Sequence, residues 1–134
     1  MIGLVIVAHG GLGCEFLAAV EHVVGPQEKA TVVSMNPEDD LAEKQAEIDA
    51  AVASVNDGAG VVVVTDMFGG TPCNLAIGAM SGDGVEVIYG ANLPMLVKLA
   101  KSRTRPLEEA VDAAIDAGRK YIDAAGRMLQ TKAV

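Results

Sequence analysis

The run Val61-Val62-Val63-Val64 is apolar at every position. A strand with one wet face alternates apolar and polar side chains, whereas a strand covered by helices on both sides has no face to keep polar. Similar runs, Ile2 to Ala8, Ala30 to Met35, Gly60 to Thr65 and Val85 to Tyr89, are separated by longer segments in which apolar residues recur at helical spacing. The order β-α-β-α-β-α-β predicts an α/β fold with an open, mostly parallel central sheet of four strands, right-handed crossovers and helices on both faces. The chain is 51% hydrophobic but only 3% aromatic and has no Trp, so its core must be built from tightly packed aliphatic side chains. At 134 residues, with no repeat and no linker, residues 1–134 read as a single domain.

The first helix is expected over about Glu15 to Val24, with Phe16, Leu17, Val20 and Val24 on one face and Gly25-Pro26 ending it. For the second, Asn36 is the expected cap and Pro37 the first helical residue. Acidic residues 38–40 would sit at the positive end of the dipole, and Leu41, Ile48, Val52 and Val55 would form the buried stripe. A third helix starts at Thr71-Pro72 and a fourth covers Pro94 to Lys101. A long last helix runs from about Pro106 to Gln130, with Leu107, Val111, Ile115, Ile122 and Leu129 facing inward.

Ten basic against 18 acidic residues give a net charge of -8, which argues against nucleic acid as a ligand. The apolar stretch from Met1 to Ala8 lacks a basic leader and is too short to insert in a membrane, so it is expected to be a buried strand of a cytoplasmic protein. In that reducing setting Cys14 and Cys73 read as unpaired core thiols.

In an open parallel sheet, ligands bind beyond the carboxyl ends of the strands. The segment Ala8-His9-Gly10-Gly11-Leu12-Gly13 follows the first strand and Asp66-Met67-Phe68-Gly69-Gly70-Thr71-Pro72 follows the third. If those two strands are neighbours, the loops face each other. His9, among small residues, is a candidate nucleophile, since imidazole is partly unprotonated near neutral pH. Taken alone, it is also compatible with a histidine that closes its strand through backbone hydrogen bonds. Asp66 can hold one ring nitrogen and free the other, or simply cap its turn. Gly69, Gly70 and Thr71 at a helix start suit an oxyanion, although such a turn is also an ordinary helix beginning. His22, inside the first helix, reads as structural or surface. No spacing of metal ligands is present, no Lys follows the glycines as a phosphate-binding loop for nucleotides requires, and no dinucleotide fingerprint is complete. No metal or cofactor is expected.

Three segments together, Ile6-Val7-Ala8-His9-Gly10, Asp66-Met67-Phe68-Gly69-Gly70-Thr71-Pro72-Cys73-Asn74 and Gly90-Ala91-Asn92-Leu93-Pro94-Met95-Leu96, resemble the signature segments of the mannose-family IIA components of the bacterial sugar phosphotransferase system. That resemblance implies a sheet in the order two-one-three-four, usually in a homodimer. It also implies a phosphotransferase acting through phosphohistidine. His9 would accept a phosphoryl group from phosphorylated HPr, itself charged from phosphoenolpyruvate by enzyme I, and pass it to a histidine of a IIB component. Asp66 would orient His9, while Phe68, Gly69, Gly70 and Thr71 would face the phosphate and Gly10, Asn92, Pro94 and Met95 would form the rim. The chain has Ala8 where a Thr is frequent in the family, and Phe68 and Thr71 where Trp and Ser are common. Two neighbouring roles share this pattern: a regulatory binding module read out by His9 phosphorylation, and the phosphotransfer subunit of a dihydroxyacetone kinase system. A receiver domain is disfavoured because Ala8-His9-Gly10 replaces the acidic pair it needs, and a histidine phosphatase because its Arg and second catalytic His are missing.

Overall fold

The computed structural model describes residues 1–80 and 84–133. Four strands and six helices follow in the order β1 (Gly3–His9), α1 (Leu12–Val24), β2 (Ala30–Met35), α2 (Leu41–Val55), β3 (Val61–Thr65), α3 (Thr71–Gly78), β4 (Val85–Ile88), α4 (Leu93–Lys101), α5 (Leu107–Lys120) and α6 (Ala125–Ala133). The strands form one parallel sheet in the order β2-β1-β3-β4, as expected.

Because successive strand residues point to opposite faces, each strand feeds two cores. Leu4, Ile6, Ala8, Val62, Val64 and Ile88 meet Val20 of α1, Leu96 and Leu99 of α4, and Ala110 and Ala114 of α5. Val5, Val7, Val33, Val61 and Val63 meet Ile48, Val52 and Val55 of α2 and Ala76 of α3. The five residues of β3 are all fully buried, and each Val among them contributes roughly 1.5 kcal/mol by leaving water. Gly13 lets α1 lie close on this surface, since a Cβ there would stand 2.7 Å from Val32 Cγ1. Among the described residues no helix is long and apolar enough to cross a membrane.

Three expectations need correction. Helix α2 starts at Leu41, not Pro37. Asn36 to Asp39 instead form a turn in which the Asn36 N–H donates to Asp39 Oδ2 at 2.6 Å, and Asp40 is the cap, accepting from the Glu43 N–H at 3.0 Å. Asp40 and Glu43 have the spacing of a capping box, which outcompetes the Asn-Pro start. Leu41 consequently sits in the first turn and is exposed. The long last helix is two helices, α5 and α6, with Tyr121 to Ala124 between them. A 14-residue helix spans roughly 21 Å, about the length of a six-residue strand, so a continuous helix would overrun the sheet it packs on. Asp123 marks the break by accepting from the Ala124 N–H at 2.7 Å, and Ile122 and Leu129, expected inside, are exposed. Finally, Cys73 is buried as expected, but Cys14 lies exposed in the first turn of α1; both are free thiols.

At the end of the sheet opposite His9, Arg103 is only 2% exposed. Its guanidinium donates to the carbonyl of Ile2 at 2.8 Å, to that of Lys29 at 2.8 Å and to Gln27 Oε1 at 3.1 Å, joining the starts of β1 and β2 to the end of α4. Burial pulls its pKa below the ordinary arginine value, and the charges of Asp57 and Glu28 oppose that pull. Arg103→Ala is expected to lower the free energy of unfolding by about 3 kcal/mol, seen as a lower urea midpoint with the slope unchanged. Arg103→Lys should restore only part of this, because an ammonium cannot span the three acceptors.

Candidate functional site

Parallel pairing sets Val7 opposite Thr65, so β1 and β3 end side by side. His9 is the last residue of β1, still paired with Met35 of β2, and Asp66 is the first residue beyond β3. The His9 ring Nδ1 lies 2.7 Å from Asp66 Oδ2, and the same oxygen accepts the His9 backbone N–H at 3.0 Å. Asp66 Oδ1 accepts the Met67 N–H at 3.0 Å. On the other side of β1, the Gly10 N–H donates to the Met35 carbonyl at 2.8 Å, which fixes the chain as it turns away with Gly10 at φ 52°. His9 is thus held by its main chain, its ring and the residue after it.

The geometry decides the tautomer. A carboxylate only accepts hydrogen bonds, so Nδ1 carries a proton and, in the neutral ring, the lone pair resides on Nε2. The His9 side chain is 52% exposed while that of Asp66 is 10% exposed: an open imidazole stands on a sheltered carboxylate. Burial alone would raise the Asp66 pKa, but the hydrogen bonds from the His9 backbone and ring outweigh it and hold the carboxyl below its ordinary 3.8.

The loop after β3 closes the other side. Gly69 takes φ 85°, which a side chain would disfavour, and brings Gly70 in as the N-cap of α3. A Cβ on Gly70 would stand 3.3 Å from His9 Cε1 and 3.6 Å from Met67 Cγ, so the absence of a side chain there is what admits the ring. Thr71 and Pro72 open the helix, and its first backbone bond runs from the Asn74 N–H to the Gly70 carbonyl. The earlier first-turn N–H groups lie ahead of that bond, at the positive end of the dipole and beside His9. A cleft of about 380 Å³ opens here, lined by His9, Gly10, Met35, Pro37, Leu41 and Thr71 among others.

The fold therefore gathers His9, Gly10, Asp66, Gly70 and Thr71 in one place. Phe68 is not among the residues lining this cleft; its ring packs against that of Tyr89, with centroids 4.7 Å apart and the planes tilted by 46°. The expected rim residues of α4 sit elsewhere. Asn92 caps α4 by accepting the Met95 N–H at 3.0 Å and donates to the Gly118 carbonyl of α5 at 2.9 Å. Pro94 fills an opening position of α4 and is half-buried, and Met95 is 3% exposed within the core. Asn92 and Met95 line instead a second cleft of about 510 Å³ along β4 and α5, which does not include His9. The Asn-x-Pro-Met segment thus ties α4 to α5. His22 is exposed on α1. Sequence reasoning missed Met35, Pro37 and Tyr89; the signal for Tyr89 was an aromatic ending a strand in a chain with only two Tyr and two Phe. Among the described residues no group of three His, Cys, Asp or Glu is gathered as a metal would need.

Residues 3–117 match the family model described as PTS system fructose IIA component. The mannose-specific EIIAB component of the PTS of Escherichia coli (strain K12) is 29% identical over 126 residues, covering 92% of this chain. The chain spans 39% of the length of that relative. The mannose/sorbose specific IIA subunit of the phosphotransferase system from Enterococcus faecalis superposes with a TM-score of 0.83 at 31% identity, covering 92% of this chain and 93% of that one. The phosphotransferase system component EIIA from Streptococcus agalactiae superposes with a TM-score of 0.85 at 26% identity, covering 95% and 99% of the two chains.

Two measurements check the site without reference to any reaction. Nitrogen-15 shifts of the neutral His9 ring should place its proton on Nδ1, and Asp66→Ala should move it toward Nε2; an unchanged tautomer would mean that Asp66 does not set it. Because the Asp66 pKa is lowered on folding, its charge stabilises the fold above 3.8, the unfolded value, and this contribution is lost as pH falls through the folded value. The stability deficit of Asp66→Asn relative to the native chain should accordingly shrink as pH is taken below 3.8 in denaturant titrations.

Proposed function

The chain belongs to the mannose-type IIA family of the bacterial sugar phosphotransferase system, and from that membership we propose that it is a phosphocarrier which accepts a phosphoryl group on His9 and gives it up again. One observation carries the reading: the 2.7 Å contact between His9 Nδ1 and Asp66, which leaves Nε2 of a half-exposed ring with its lone pair. The donor is phosphorylated HPr and the acceptor a histidine of a IIB component, meeting in the cytoplasm.

His9 Nε2 attacks phosphorus in line with the donor's P–N bond. That bond breaks with its electron pair returning to the donor imidazole, and a new P–N bond forms on His9. Nδ1 keeps its proton throughout, and Asp66 stabilises the positive charge the ring acquires. The first-turn N–H groups of α3 and the Thr71 hydroxyl receive the phosphoryl oxygens, so Gly69 and Gly70 act through the backbone they present. The second transfer repeats these steps in reverse toward the IIB histidine. Exchange between two imidazoles is close to thermoneutral, which suits a carrier, and alignment supplies most of the rate. A homodimer is part of the proposal, supported by the outer edge of β4, which pairs only with β3 among the described residues.

Incubation with phosphoenolpyruvate, enzyme I and HPr should add one acid-labile phosphoryl group, detected by intact mass. His9→Ala should abolish the gain and Asp66→Ala should slow it roughly a hundredfold. Transfer that survives His9→Ala would overturn the assignment of the nucleophile.

A further inference from the structure

The cleft beside His9 has a wall that the transfer steps leave unused. His9 pairs with Met35 across β1 and β2, and the chain leaves β2 through the turn from Asn36 to Asp39, so this turn borders the same cleft. Asn36, Pro37 and Asp39 line it together with His9, Thr71 and Pro72. Among the described residues that line it, Asp39 is the one carboxylate, and none is Lys or Arg. Its place is fixed: Oδ2 accepts the Asn36 N–H at 2.6 Å, and the Asp39 N–H donates to the Asn36 carbonyl at 3.1 Å. Lys44 does not cancel its charge. The ammonium lies 3.8 Å from Asp39 but 2.9 Å from Glu47, so one cation serves two carboxylates and the group stays negative.

Two carboxylates therefore bear on His9 with opposite effects. Asp66, on Nδ1, favours the positive ring of a phosphohistidine. Asp39 shares its cleft with the start of α3, where the phosphoryl oxygens are received, and a phosphoryl group brings negative charge of its own. Like charges in a half-enclosed cleft repel more strongly than in open water. Resting on the carrier reading of His9, we propose that Asp39 sets the phosphoryl-transfer potential of this chain: its carboxylate destabilises the phosphorylated form relative to the free form and tilts the exchange toward release. Each exchange breaks one P–N bond, makes another and consumes nothing else. Small differences in the surroundings of the two imidazoles consequently decide where it comes to rest, and a fixed carboxylate in the receiving cleft is such a difference. It offsets the hold of the α3 N-terminus on the phosphoryl group, and a carrier that held its group too firmly would not pass it on.

The test is an equilibrium, not a rate. Phosphorylated HPr is mixed with the native chain, Asp39→Asn, Asp39→Ala or Glu38→Gln at concentrations where complexes are scarce, and the phosphoryl group on each protein is measured by intact mass once the ratio is constant. The equilibrium constant compares free proteins only, so a change in how tightly HPr docks does not move it. Asp39→Asn keeps an oxygen for the Asn36 N–H and removes the charge. It is expected to shift the constant roughly threefold to tenfold toward the phosphorylated chain. Asp39→Ala should shift it the same way. Glu38 is exposed and does not line the cleft, so Glu38→Gln should change the constant by less than about twofold. Raising sodium chloride from about 0.05 M to about 0.5 M should narrow the gap between the native chain and Asp39→Asn. An unchanged constant in Asp39→Asn overturns the proposal, and a shift in Asp39→Ala alone would assign the residue to its turn instead. An equal shift in Glu38→Gln also overturns it, because the effect would then belong to the net charge of the chain. The carrier reading stands in each of these cases. A native chain that gains no phosphoryl group from phosphorylated HPr, or a His9→Ala chain that still gains one, overturns the carrier reading itself and this proposal with it.

Discussion

Parallel pairing of β1 with β3 is the contact on which the other features of the molecule depend. It is made possible by two strands apolar on both faces, and it leaves no face of either strand for solvent. The same register that buries Val5, Val7, Val61 and Val63 on one side, and Leu4, Ile6, Val62 and Val64 on the other, delivers His9 and Asp66 to a common edge. Core packing and site geometry are therefore not separable. A slip of one residue between these strands would invert both cores and would also break the hydrogen bond between ring and carboxylate.

Asp66 shows how few groups the site uses. One of its oxygens holds both the main chain and the ring of the same residue, and the other holds the start of its own loop. The arrangement needs no lid and no second layer of side chains, because the strand ends already fix position and the glycines of the following turn leave the ring room.

Much of this was legible in the sequence, for physical reasons that differ from element to element. Uninterrupted apolar runs have few ways to be buried, so the four strands and the α/β class followed from them. His9 and Asp66 were legible because each ends such a run. The start of α2 was not, since Asn36-Pro37 and Asp40 with Glu43 are both competent signals and only the closed Asn36–Asp39 turn chooses between them. Nor was the break between α5 and α6: the apolar spacing continues through Ile122 and Leu129, while the sheet that would bury them has ended. Asn92 and Met95 were placed at the rim by the resemblance of their segment to a family signature, yet their side chains are committed to a helix cap and to the core. Tyr89 passed unnoticed because its significance depends on Phe68, some twenty residues away in the chain and adjacent only after folding.

The half-exposed ring of His9 has a further consequence. On the carrier reading, a phosphoryl group on this ring would meet the start of α3 on one side and solvent on the other. Arrival and departure would then use the same open face, so two partners could reach the group without any element of the fold moving, but never both at once.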